Sequence, residues 1–118
     1  MSRGAKAVLL KFTRDHDPLV RGRAARALER LASLPDPASI HSLNGLLNDP
    51  VRSVRGDAAW SLRRTLDTNC VAGGDLLRDL RLNLDQPQGV MRHGVFLLDR
   101  GQVAEAARLL QALSAAPR

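Results

Sequence analysis

Residues 20–28 read VRGRAARAL, and residues 54–62, thirty-four positions later, read VRGDAAWSL. Six of the nine letters agree, and the changes are Arg23 to Asp57, Arg26 to Trp60 and Ala27 to Ser61. Self-similarity at a period of about 20 to 50 residues marks a stack of short units, none of which buries its apolar face alone.

Working outward, an apolar helical stretch precedes each copy: Val8, Leu9 and Phe12 before the first, Ile40, Leu43, Leu46 and Leu47 before the second. An acidic turn separates the members of each pair, DHDP at 15–18 and NDP at 48–50. Asp followed by Pro starts a helix for a physical reason. The carboxylate accepts an orphan backbone N–H, and proline at the first helical position has no N–H to leave unpaired. Asp36-Pro37 repeats the signal. These marks predict helices over 3–13, 18–33, 37–47 and 50–66. Projected at about 100° per residue, Val51, Val54, Ala58 and Leu62 form one stripe with Leu66 at its edge. Arg52, Trp60, Arg63 and Arg64 fall on the far side, which makes the helix amphipathic.

Composition agrees with helices. Aromatic residues make up 3% of the 118, so the core must come from Leu, Ala and Val. That mix suits close-packed helices better than strands, which favour β-branched and aromatic side chains. Cys70 is the single cysteine, which excludes an internal disulfide or a multi-cysteine zinc site. The N-terminus lacks a signal-peptide pattern, and no apolar run approaches the roughly 18 residues of a membrane span. Cytoplasm is the default compartment, or periplasm if the chain is part of a longer secreted one. The net charge of +6 is one-sided: residues 1–66 hold 12 Lys/Arg against 6 Asp/Glu, and residues 67–118 hold 6 against 6. A basic half suits an acidic protein, an anionic surface or nucleic acid, or is simply a solvated Arg-rich face.

In the second half, DTNCVAGG at 67–74 reads as a break, with Gly73-Gly74 as a flexible joint. DLLRDLRLNL at 75–84 reads as a helix capped by Asp75, with Leu76, Leu77, Leu80 and Leu84 inward. After a turn at 85–87 comes GVMRHGVFLLDRGQVAEAARLLQALSAAPR, a helix pair broken at Gly101.

The tandem pattern D-x-x-x-x-V-R-G-x-A-A-x-x-L resembles short bacterial HEAT repeats, of the kind also found in phycobilisome-lyase-type proteins. The resemblance covers residues 3–66. It implies that the Ala-Ala pairs allow close helix approach. It also implies that Arg21 and Arg55 are structural and pair with a turn aspartate, the matching positions being Asp15 and Asp49. The last section resembles one tetratricopeptide repeat. Gly94 stands at the first small position, Leu97 at the large apolar one, Ala106 at the small contact of the second helix, then Leu110 and Leu113, with Pro117 closing. Val90 replaces the expected large aromatic. HEAT repeats running into tetratricopeptide repeats also resemble part of some multihaem cytochrome proteins, but no C-x-x-C-H is present to carry haem.

Together these readings predict an all-α fold, a right-handed α-solenoid of antiparallel helix pairs with about seven helices. Residues 1–66 form two HEAT-like repeats. Residues 67–118 form a joint, a linking helix and one tetratricopeptide-like repeat, packed as one continuous domain. With no polar capping helix at either end, the expectation is a fragment or a chain that oligomerises.

Chemistry-bearing patterns are sparse. His16, His41 and His93 are scattered, with no H-E-x-x-H and no i, i+4 pair, so no metal site is expected. Cys70 has no nearby base and reads as a loop thiol. Gly73-Gly74 before a helix could suggest an anion loop, but no Lys-Ser/Thr follows and Asp75 occupies the place of the phosphate. No pair reads as a general acid and base. The expectation is no catalytic residue, no cofactor and no small-molecule substrate. What remains is a surface. Arg23, Arg26 and Arg30 recur at i, i+3 and i+7, and Trp60, Arg63 and Arg64 share the matching face of the second copy. By resemblance that face is the concave one. The alternative for Trp60 is packing under the next repeat near Leu76 and Leu80. The predicted activity is a non-catalytic scaffold for a protein partner carrying an acidic segment. Nucleic-acid backbone binding, or an accessory part of a larger cytochrome- or lyase-type protein, is the alternative. No membrane partner is indicated.

Overall fold

A computed structural model describes residues 2–115 of the chain. Eight α-helices follow one another without a strand among the described residues: α1 Arg3–Phe12, α2 Pro18–Ala27, α3 Glu29–Ser33, α4 Pro37–Leu46, α5 Arg52–Ser61, α6 Val71–Leu82, α7 Pro87–Asp99 and α8 Val103–Ala115. Short connections join successive helices, and between α2 and α3 the connection is the single residue Leu28. The stack is an elongated α-solenoid of 48 × 27 × 26 Å.

Local chemistry sets the boundaries. The Ala5 N–H donates to Ser2 Oγ at 3.1 Å and starts α1. Asp17 accepts from the Leu19 N–H at 2.9 Å, and Asp36 accepts from the Ser39 N–H at 3.0 Å, each just before a proline. Asp49-Pro50 behaves differently. Asp49 accepts from the Val51 N–H at 2.9 Å, and α5 begins only at Arg52. Gly101, at φ 79°, ends the α7 connection in the left-handed region.

The expected helix over 18–33 is two helices, which gives eight rather than seven. Leu28 separates them, and Ser61 of the second copy reaches in beside the break. Its buried hydroxyl donates to the Ala25 carbonyl at 2.9 Å. That is the acceptor which the Glu29 N–H would take in a continuous helix. The expected helix over 50–66 ends at Ser61 and continues as turns to Thr65.

The joint at 67–74 is also corrected. Cys70 is not a loop thiol: its sulfur accepts from the Gly73 N–H at 3.3 Å and caps α6. Gly73 and Gly74 lie inside the first turns of α6, so Asp75 is not its cap. A Cβ at Gly73 would stand 2.3 Å from the Asp67 carbonyl, so the residue is needed for close approach to the preceding turn, not for flexibility.

Two apolar clusters form the core. Ala25, Leu28, Leu43, Leu46, Val54, Ala58 and Leu62 make the first. Ala59, Leu66, Ala72, Leu76, Leu80, Phe96, Leu97 and Ala106 make the second. Leu47 packs against both. The adjacent alanines of the second copy therefore point into different clusters, Ala58 into one and Ala59 into the other. A side chain larger than methyl at either position would hold neighbouring helices apart.

Candidate functional site

The side-by-side packing of α2 and α5 brings the two copies of the repeated stretch together. Arg21 crosses the seam. Its Nε and a terminal nitrogen donate to Asp49 Oδ2 and Oδ1 at 2.8 and 3.0 Å, a bidentate pair that is nearly buried. The other terminal nitrogen donates to the Asp15 and His16 carbonyls at 2.9 and 3.0 Å. Arg21 therefore takes the backbone of its own turn and the carboxylate of the next turn. Burial pushes the Asp49 carboxyl upward, but the bonds from Arg21 and the Val51 N–H outweigh it and hold the group below its ordinary range. Its partner Arg21 is raised, chiefly by the same side-chain bond. Arg55 repeats the first half of this pattern, donating to the Asp49 and Pro50 carbonyls at 2.9 and 3.3 Å. The second half is loose. Asp75 Oδ2 stands 3.8 Å from Arg55, whose buried Nε has no hydrogen-bond partner among the described residues.

The positions where the copies differ also meet across this seam. Asp57 Oδ1 accepts from Arg26 Nε at 2.8 Å. A Cβ at Gly22 would lie 2.4 Å from Asp57 Oδ2, so the carboxylate rests on the bare glycine backbone. Gly56, the same letter in the second copy, has nothing within 4 Å of that position.

Trp60 is half-buried against the cluster that contains Leu76 and Leu80. Arg63 lies 4.4 Å and Arg92 4.6 Å from its ring centroid, and Arg26 lies at 5.9 Å. Arg63 corrects an expectation. It is 6% exposed, so it does not belong to an open stripe. It donates to Glu29 of the first copy and, at 2.8 Å, to Asp99 at the end of α7. Arg100 adds bonds to the Arg63 and Leu66 carbonyls at 2.9 and 2.8 Å. One buried guanidinium thus ties α3, the end of α5 and α7 together.

A family model of HEAT repeats matches residues 2–63, more than half of the 118-residue chain. The chain belongs to the HEAT repeat family. No curated protein and no solved structure shows a significant match to it. HEAT repeats are commonly protein-interaction scaffolds and are generally non-catalytic.

In this HEAT repeat protein six of the ten arginines in residues 1–66 have a carboxylate within 4 Å: Arg21, Arg26, Arg52, Arg55, Arg63 and Arg64. Arg26 pairs with Asp57, Arg52 lies 3.4 Å from Asp79, and Arg64 lies 3.8 Å from Asp99. Arg23 and Arg30 are exposed, with no carboxylate within 4 Å among the described residues. The exposed remainder of the expected stripe is therefore Arg23, Arg26, Arg30 and Arg64. Arg92, on α7, is a further cation of this face. No pattern in the sequence singled it out, because it reaches Trp60 from a different repeat. Burial, then the neighbouring Arg26, makes it easier to deprotonate than a free arginine. A cavity of about 680 Å³ lies elsewhere, between the end of α1 and α4, lined by Phe12, His16 and His41 among others. Among the described residues no group of three His, Cys, Asp or Glu could hold a metal ion, and no helix is long and apolar enough to cross a membrane.

Proposed function

We propose that this HEAT repeat protein is a non-catalytic scaffold that binds an acidic protein segment along the face of α2, α3 and α5. The observation that carries the reading is the exposed, carboxylate-free pair Arg23 and Arg30 beside the half-engaged Arg26 and Arg64. Arginine forks in such a setting match carboxylates, and arginine is enriched where binding energy concentrates. Trp60 and Arg63 then act from beneath, holding the face together. The α7–α8 pair reads as a tetratricopeptide-like unit, supported by buried Gly94 against Leu110 and by fully buried Ala106. Leu47 and Arg63, which touch both halves, support residues 67–118 working with 1–66 as one continuous unit.

A fluorescent hexaglutamate peptide is the direct probe. Binding should fall about tenfold or more in the double variant R23E/R30E, with helicity by circular dichroism unchanged. Unaltered binding overturns the reading. The basic surplus of residues 1–66 supports nucleic-acid backbone binding as the second reading. Its mark is a steep fall of duplex-DNA affinity with salt, and no DNA binding at low salt excludes it.

A further inference from the structure

Arg26, Ala27, Glu29, Arg30, Ser33 and Arg64 line a cavity of about 280 Å³ at the seam of the two copies. Its ionic groups are not equally occupied. Glu29 is engaged by Arg63, and the Ser33 hydroxyl donates to the Arg30 carbonyl at 2.7 Å. Arg26 uses Nε on Asp57, and its terminal nitrogens make no hydrogen bond among the described residues. Arg64 stands 3.8 Å from Asp99, beyond hydrogen-bond reach, and Arg30 has no carboxylate within 4 Å among the described residues. Arg26, Arg30 and Arg64 thus line one small space with most of their donors without a protein partner among the described residues, and Glu29, the carboxylate that lines it with them, is held through one oxygen by Arg63.

We propose that this cavity receives the phosphate group of a phosphorylated side chain on the protein partner. The proposal rests on the acidic-segment reading and makes it specific. A planar carboxylate offers two oxygens and satisfies one arginine fork. A phosphate monoester offers three terminal oxygens in a tetrahedral array and carries a charge of about −1.5 to −2 at neutral pH. It can therefore accept from forks carried on different elements, here α2, α3 and the turn after α5. The break at Leu28 separates Arg26 from Arg30 onto different helices, so their guanidinia do not simply follow one helical stripe.

The test uses the full chain and labelled peptides of alternating Gly and Ser that differ at one central position: phosphoserine, serine or glutamate. The phosphoserine peptide should bind at least about tenfold tighter than either of the others. The double variant R30Q/R64Q should erase that preference, and R108Q on α8 should leave it intact. Equal affinity for the phosphoserine and glutamate peptides overturns the proposal, as does a preference that survives R30Q/R64Q. Duplex DNA that displaces the phosphoserine peptide and binds tighter with the same arginine dependence also overturns it, in favour of nucleic acid. The hexaglutamate probe separates the two failures. Arginine-dependent hexaglutamate binding without phosphoserine preference removes only the phosphate site, whereas loss of both removes the acidic-segment reading as well.

Discussion

Arg26 and Asp57 occupy two of the three positions at which the repeated stretch changes, and they are joined to each other by an ion pair of 2.8 Å. Ser61, the third change, donates to the Ala25 carbonyl of the first copy. Trp60, which stands where the first copy has Arg26, lies with its ring among Arg26, Arg63 and Arg92. The divergent letters are therefore the grip of the second copy on the first and on α7. The altered letters Arg26, Asp57, Trp60 and Ser61 thus add fastenings between repeats to the one that the shared Arg21 makes with Asp49.

The two glycines of the repeat should respond in opposite ways to the same substitution. Gly56→Ala adds a Cβ into open space on a helix and should stabilise by about 0.5–1 kcal/mol. Gly22→Ala drives a Cβ against Asp57, which Arg26 holds in place, so that gain is cancelled and the variant is less stable than the parent. In an Asp57→Ala background Gly22→Ala should become stabilising. Urea denaturation of the parent, the two glycine variants, Asp57→Ala and the Gly22→Ala/Asp57→Ala double variant checks this, and equal gains at both glycines would contradict the packing described.

Arg63→Met should cost about 1–3 kcal/mol, below the range for a fully buried pair because Glu29 and Asp99 are partly exposed. Arg63→Lys should recover only part of that loss. A single ammonium cannot reach Glu29, Asp99 and the Trp60 face in the geometry of a planar fork. Full recovery by lysine would show that charge alone matters there.

The acid limb of stability should carry the mark of Asp36. The hydrogen bond from Lys6, then those from the Ser39 hydroxyl and N–H, lower its carboxyl to about 2. A depressed carboxylate stabilises the fold above its ordinary value of about 3.9. That contribution should fade as pH falls from there toward about 2. Lys6→Met should flatten this limb of the urea midpoint against pH.

His93 works at higher pH with the same sign. Burial, then Arg81, lowers its imidazole, with Glu105 opposing. The unfolded chain takes up the proton first, so stability should decline as pH drops below about 6.5. His93→Gln should remove that decline. A stability profile flat from pH 7 to 5 in the parent protein would exclude it.

Much of this fold was legible because backbone chemistry leaves local marks. Asp17-Pro18 and Asp36-Pro37 cap helices as their residue types require, and the alanine pairs lie in the core. Where the structure departs from the local pattern, a contact from outside the helix itself decides. Nothing near Leu28 announces the break, and the hydroxyl that takes the Ala25 carbonyl there belongs to Ser61, more than thirty residues away. Gly73-Gly74 looked flexible because its constraint is a carbonyl in the preceding turn. Arg63 looked exposed because its partners, Glu29 and Asp99, come from different repeats. Helical projection describes one helix against an imagined solvent, and in a solenoid the far side of one helix is the near side of the next.

The central claim is that the altered letters fasten the copies, and a charge-swap cycle on Arg26 and Asp57 tests it most directly. Arg26→Asp and Asp57→Arg should each destabilise, by about 1 kcal/mol or more since each sets like charges opposite one another. The doubly swapped protein should regain stability, with a favourable coupling of at least about 0.5 kcal/mol in urea denaturation. Strictly additive losses, with no recovery in the swapped protein, would contradict the claim.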